Sequence, residues 1–191
     1  MRNRIVAAAS ITLMIALSAC GRNNVYADVA RFHTNQPINR GALFIQPADP
    51  VLANNLEFRT HAESVAIEMR RQGFKTVPDA AQAQYVATLD ITQTDGTTVT
   101  RPGMTMGVPV GPTIIATPVG RGPRNSTERT TTIGVQIKRQ ADGTQIWEGR
   151  ASKTGSAGSE QTTLTWAVPA LAGALFKDFP GAPGVTQQVR L

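Results

Sequence analysis

Few residues in this chain of 191 could do chemistry, and their spacing assembles no familiar reaction centre. The two histidines, His33 and His61, each lack a second ligand at a metal-binding interval. His61-Ala62-Glu63 matches half of a zinc deaminase signature, but the Pro-Cys-x-x-Cys that completes it is missing. His61 is therefore expected on a helix surface. Lys153-Thr154-Gly155 echoes one element of the penicillin-binding enzymes, without their Ser-x-x-Lys or Ser-Asp-Asn. Asp90 and Asp95 are the acids that could be imagined as a pair, yet Asp95 sits in an Asp-Gly turn signal. There is no nucleophile elbow, phosphate loop or dinucleotide fingerprint. The expectation is a non-enzyme with no catalytic residue, metal site or cofactor. A hydrolase with an unrecognised site is the remaining enzymatic reading.

One thiol is left. Cys20 is the only cysteine, which excludes a disulfide framework or a cysteine-based zinc site. It follows a basic start (Arg2, Arg4) and a mostly apolar run from Ile5 to Leu17, shorter than the ~20 residues a spanning helix needs. That is the layout of a secretory signal peptide. Leu17-Ser18-Ala19-Cys20 resembles the lipobox of bacterial lipoproteins. The resemblance implies cleavage before Cys20 and acylation of its sulfur and its new amine. One acyl chain anchors only marginally, at about 0.8 kcal/mol per buried methylene, so several chains make the anchor lasting. By the same resemblance, Gly21 after the cysteine favours the outer membrane over the inner one, with the domain on the periplasmic face.

Removing residues 1–19 leaves 172, enough for one domain with a core. The formal charge of +6 falls to +4 when Arg2 and Arg4 are lost. That is weak grounds for a nucleic-acid partner, and none is expected.

The elements must be read around this anchor. Residues 20–40 are polar with scattered apolar anchors and read as a lipidated tether running into irregular structure. A single α+β domain is expected over 41–180. Leu43-Phe44-Ile45 reads as a first strand stopped by Pro47. Asn54 or Asn55 can cap a helix whose stripe is Ala62, Val65, Ala66 and Met69, with Arg59–Glu63 as a surface pair and Gly73 at its end. "GFKTV" reads as a short strand. Residues 85–92 form another, ended by the Asp95-Gly96 turn. Residues 130–139 and 145–151, joined by Asp142-Gly143, read as an antiparallel hairpin. Ser159 can cap a closing helix with Leu164, Val168, Leu171 and Leu175 inward. Pro169 either kinks that helix or marks its first turn. Residues 181–191 are a tail, with 185–191 able to pair at a sheet edge. The fold class is α+β: a mostly antiparallel sheet of about 4–5 strands against two helices, in the order β-α-β-β-(loop)-β-β-α.

Residues 101–125 fit none of this. They hold five glycines and five prolines, a density no central strand tolerates. Yet Met104, Met106, Val108 and Val110 alternate, and Ile114 and Ile115 follow. The segment is either a β-ribbon turning near Gly111-Pro112, a mobile loop that buries its apolar residues in a membrane or partner, or an inserted loop without a role. Those six residues are the candidate interaction surface.

"IGVQIKRQADGTQIWEGRASKTG" (133–155), "AVPALAGALFKDFPG" (167–181), "RRQGFKTV" and "AQYVATLDI" resemble an uncharacterised bacterial lipoprotein family, domain of unknown function 4136. The similarity covers about two thirds of the chain after Cys20. The family implies a lipoprotein but no activity and no catalytic residues. Residues 101–125 lack the aromatics expected in its loop. Trp147 is expected in the core. The function expected is a membrane-anchored envelope lipoprotein with a binding or structural role. Its partners would be the membrane, through Cys20, and an envelope protein. The alternative is a carrier of a lipid or other apolar ligand that uses the 101–125 loop.

Overall fold

The computed structural model describes residues 24–101, 105–110, 113–118, 122 and 124–191. Cys20, the expected signal peptide and Met104 lie outside them.

The alternation of small and apolar residues builds one sheet. β1 (Tyr26–His33) and β2 (Ala42–Pro47) come first, then α1 (Leu56–Arg71), β3 (Lys75–Thr76) and the long β4 (Tyr85–Arg101). A hairpin of β5 (Thr105–Val110) and β6 (Thr113–Pro118) follows. β7 (Arg124–Arg139), β8 (Gln145–Ser156), α2 (Leu164–Phe176) and β9 (Thr186–Arg190) complete the chain. Seven strands pair in the order β3-β2-β4-β7-β8-β1-β9, and β5 and β6 pair only with each other. β2 runs parallel to β3 and β4, and every other pairing is antiparallel.

The α+β class and the two helices stand, but the sheet is larger than the 4–5 strands expected. The tether reading of residues 20–40 is corrected over 26–33. There β1 is an interior strand whose Ala27, Val29 and Arg31 face the core. Within the C-terminal tail, β9 pairs with β1 as the edge strand, the sheet-edge pairing expected of 185–191.

Both helices pack on one face of the sheet, against Val29, Leu43, Ala87, Leu89, Ile133, Val135, Ile137 and Trp147. α1 starts at Asn55, whose Oδ1 accepts from the Glu57 and Phe58 amides at 2.7 and 3.3 Å, satisfying N–H groups that have no partner inside the helix. It stops before Gly73, where φ is +90° and only glycine is unstrained. Arg59–Glu63 is not formed, because Glu63 pairs with Arg70 instead. Ser159 caps a short 3-10 turn rather than α2, which begins after Thr163. Pro169 lies inside α2, past its first turn. Its missing N–H leaves that position of the ladder without a donor.

Two Asp-Gly pairs behave differently. Asp142-Gly143 closes the β7–β8 hairpin, with Asp142 Oδ1 accepting from the Thr144 amide at 3.0 Å. Asp95-Gly96 does not turn the chain. The β4–β7 ladder runs from Asp95↔Arg129 to Thr98↔Thr127 with a register shift, so Asp95-Gly96 opens a β-bulge inside a continuing strand. The Arg129 guanidinium grips the Asp95 carboxylate with two of its nitrogens, Nε on Oδ1 and Nη2 on Oδ2 at 2.8 Å, and holds the two strands together across the bulge.

Candidate functional site

The candidate surface is built by extending β4 and β7 past the body of the sheet. β8 accompanies β7 only as far as Glu128↔Ser156. Beyond it the two strands continue alone to Arg101↔Arg124, and β5 and β6, which lie between them in the chain, pair as a hairpin of their own. Of the three readings of residues 101–125, the described stretches 105–110 and 113–118 show the ribbon. Val110 pairs with Thr113 at the inner end of the β5–β6 ladder. Hydroxyl hydrogen bonds lace the outer ladder, with Thr98–Thr127 at 2.9 Å and the Thr100 hydroxyl donating to Asn125 Oδ1 at 2.8 Å. Among the described residues, the hydrophobic core ends before this stretch.

At its end, Met106, Ile114 and Ile115 are 57, 74 and 52% exposed. The side chain of Ile114 lies over Gly107, where a Cβ would sit 2.8 Å from Ile114 Cγ2. Val108 pairs with Ile115 and Pro109 with Ile114 along the same hairpin. Side chains this exposed take no part in the hydrophobic core.

The polar candidates do not converge. Asp90 and Asp95 are five positions apart on β4 and so point to opposite faces of the sheet. The Arg129 guanidinium holds Asp95 below the usual carboxylate range. His33 Nε2 donates to the Gly181 carbonyl at 2.9 Å and its Nδ1 accepts from the Asn35 amide at 3.2 Å, a structural tie between β1 and the segment after α2. Lys153 is turned inward on β8, its Nζ 5.6 Å from the centre of the Trp166 ring, and burial lowers its pKa. No group of three or more metal-ligating side chains is poised around one point among the described residues.

His61 corrects the surface expectation. It is 6% exposed, and its Nε2 is buried without a hydrogen bond. Glu57 Oε1 approaches to 3.7 Å, too far to satisfy it. Phe58, His61, Val65 and Met69 form one helical stripe. That spacing was the available signal that His61 faces inward. It lines a cavity of about 190 Å³ beside Asp49, Asn55 and Asp90. Arg31 is the other residue that sequence reasoning missed. Its alternation with Ala27 and Val29 was the signal.

No helix among the described residues is long and apolar enough to cross a membrane. The chain is 28% identical to uncharacterized protein ZMO1243 of Zymomonas mobilis, over 85% of this chain and 80% of that one. In fold it is similar to a PDZ domain protein from Parabacteroides distasonis, with a TM-score of 0.51 at 12% identity. That match covers 86% of this chain, which spans only 39% of the length of that protein. Weaker matches are PelC from Paraburkholderia phytofirmans (TM-score 0.42, 15% identity, 82% of this chain and 99% of that one) and lipoprotein GNA1162 from Neisseria meningitidis (TM-score 0.36, 10% identity, 75% and 100%). A family profile matches residues 26–181, from the start of β1 to just past the Phe179-Pro180 corner. The motifs that carry the resemblance lie within that span, and the chain belongs to the family described as domain of unknown function DUF4136.

Proposed function

We propose that this chain is a lipid-anchored protein of the bacterial envelope, held at the periplasmic face of the outer membrane through acylated Cys20, and that its domain binds rather than catalyses. The β5–β6 end of the ribbon is its contact surface, toward another envelope component. The observation that carries this reading is the unbacked two-stranded projection ending in exposed Met106, Ile114 and Ile115. The lipobox-like Leu17-Ser18-Ala19-Cys20 supplies the anchor.

The anchor is tested by growing the native host with labelled palmitate. The wild-type chain takes up label and Cys20→Ser does not. An unlabelled wild-type chain overturns the anchor. The contact surface is tested by placing a photo-crosslinking residue at Ile114 and, as control, at Asp142 in the opposite hairpin. A discrete adduct from Ile114 alone is expected. Equal or absent crosslinking at both positions removes the ribbon from the proposal.

A further inference from the structure

β2 has an open edge. Its ladder to β4 runs from Leu43 to Pro47, but its ladder to β3 covers only Ala42 and Leu43. The last outward bond is from the Val77 amide to the Leu43 carbonyl, at 2.9 Å. Pro78 follows, has no N–H, and cannot extend it. Successive residues of a strand direct their backbone groups to opposite neighbours. The Ala42 carbonyl accepts from Gln84 on the β4 side and the Leu43 carbonyl on the β3 side. The Ile45 N–H and C=O and the Pro47 C=O therefore face outward, and no strand of the described residues meets them.

This edge borders a groove of about 770 Å³ between β2, α1 and the segment around Val77. Its α1 wall carries Ala62 and Ala66, whose short side chains leave it unfilled, with Phe58 at one end. The charge there is one-sided. Glu63 is bound by Arg70, which also donates to Thr76 Oγ1 at 3.0 Å. Arg59, on the same rim, makes no ion pair with any described residue. Pro47 and Pro78 bracket the open stretch, so it suits a short added strand and resists unlimited sheet growth between copies.

We infer that the groove between β2 and α1 takes up an extended segment of a partner protein as an added strand, with apolar side chains toward α1 and a carboxylate opposite Arg59. Main-chain bonds to the N–H and C=O of Ile45 supply the affinity, and the alternate side-chain positions supply the choice of partner. This site is separate from the ribbon and does not rest on the reading of it.

A random octapeptide library displayed on phage, selected against the full-length protein in detergent, tests it. Enriched peptides should alternate apolar residues and carry Asp or Glu. As free peptides they should lose at least about tenfold in affinity when the amide facing Ile45 is N-methylated, since one lost hydrogen bond of about 1.4 kcal/mol is a factor of ten. Ile45→Pro removes the outward N–H at an edge position where proline is tolerated, and should weaken the same peptides. Arg59→Glu should reverse the preference, so that a Lys-for-Asp peptide binds the variant better than the original does. No enrichment overturns the inference. So do enriched peptides indifferent to N-methylation and to Arg59→Glu. A dimer in sedimentation that Ile45→Pro dissociates would make the occupant a second copy of this chain and overturn the peptide assignment.

Discussion

Trp147 lies across Gly149. The two residues are two apart on β8 and share its inner face, and a Cβ on Gly149 would overlap the far edge of the indole and sit 2.8 Å from Leu175 Cδ1. The ring also stacks on Phe176 at 5.4 Å, touches Phe179 at 5.2 Å, and donates its N–H to the Pro180 carbonyl at 3.0 Å. The Trp-x-Gly pattern of the hairpin and the Phe-Pro ending of the closing helix are thus two halves of one contact.

Gly149→Ala should therefore be destabilising although it adds only a methyl. Overpacking a filled core costs about 1–3 kcal/mol. Trp147→Ala, which empties the same place, should cost about 3–5 kcal/mol. Urea titrations of the two variants measure both. A Gly149→Ala protein as stable as the wild type would mean that the indole is not held across the strand.

Arg31 supplies a second test. Its side chain is 3% exposed, and its guanidinium donates to the carbonyls of Leu175 (2.8 Å), Ala174 (2.9 Å) and Lys177 (3.0 Å), which end α2 without intrahelical partners. Burial lowers its pKa, and Asp178 partly offsets this. Arg31→Met keeps the apolar stem but leaves those carbonyls unpaired, at about 1–3 kcal/mol for a buried group. A loss of at least about 2 kcal/mol in denaturant midpoint analysis is expected. Arg31→Lys should recover only part of it, since one ammonium cannot reproduce the planar fork.

Arg31 also explains why β1 was hard to read. In "YADVARFH" the inward residues are Ala27, Val29 and Arg31, so a charge occupies a core position and breaks the apolar alternation. β9 is fainter still, with Val189 as its one buried residue. The β7–β8 hairpin was legible because four β-branched residues, Thr131 to Ile137, alternate up to a turn signal. Asp95-Gly96 shows the limit of that signal. A dipeptide that suits a turn also suits a bulge, and only the partner strand decides, here through Arg129. The candidate surface was legible as an apolar segment too rich in Gly and Pro for a central strand. Its pairing was one of three readings, because the Gly and Pro density masks a ladder between near neighbours, from Thr105↔Pro118 to Val110↔Thr113; the β4–β7 extension was not legible, since its partners lie 23 or more positions apart. The groove beside β2 was not legible at all, since it arises from a strand that β3 fails to cover.

Lys153 should make stability depend on pH at the alkaline end. Burial lowers its pKa below the ordinary 10.5, so between the folded and unfolded values the unfolded chain binds more protons. Stability then rises with pH through that window, and the cost of a buried charge is present in full below it. Lys153→Met should raise the melting temperature at pH 7, and the gain should shrink as pH approaches 10. The loss of the contact with Trp166 works against this gain. A gain that is flat with pH, or a loss at every pH, would show that the ammonium is solvated in the folded protein.

The ribbon should be separable from the body. The last residue of β4 tied to the core side is Gln93, whose amide donates to Thr131 Oγ1 at 3.0 Å and to the Thr162 carbonyl at 2.8 Å. Beyond it residues 94–98 and 100 are exposed, and the Asp95–Arg129 clamp closes the ladder on the body side. Replacing residues 102–123 by Asn-Gly joins Arg101 to Arg124 through a two-residue turn that suits their existing register. Loop closure changes only slowly with length, so the melting temperature should stay within a few degrees of the wild type. The clamp makes a finer claim. Asp95 has a lowered pKa, so its contribution is present above about pH 4 and is lost as pH falls through the folded value. Amide exchange at Thr98 and Thr127 should therefore accelerate on acidification in the wild type, after correction for intrinsic rates, and show no such step in Asp95→Asn. Collapse of the shortened protein would show that the ribbon belongs to the folding unit, and identical acid profiles in the two full-length proteins would remove the clamp from the account.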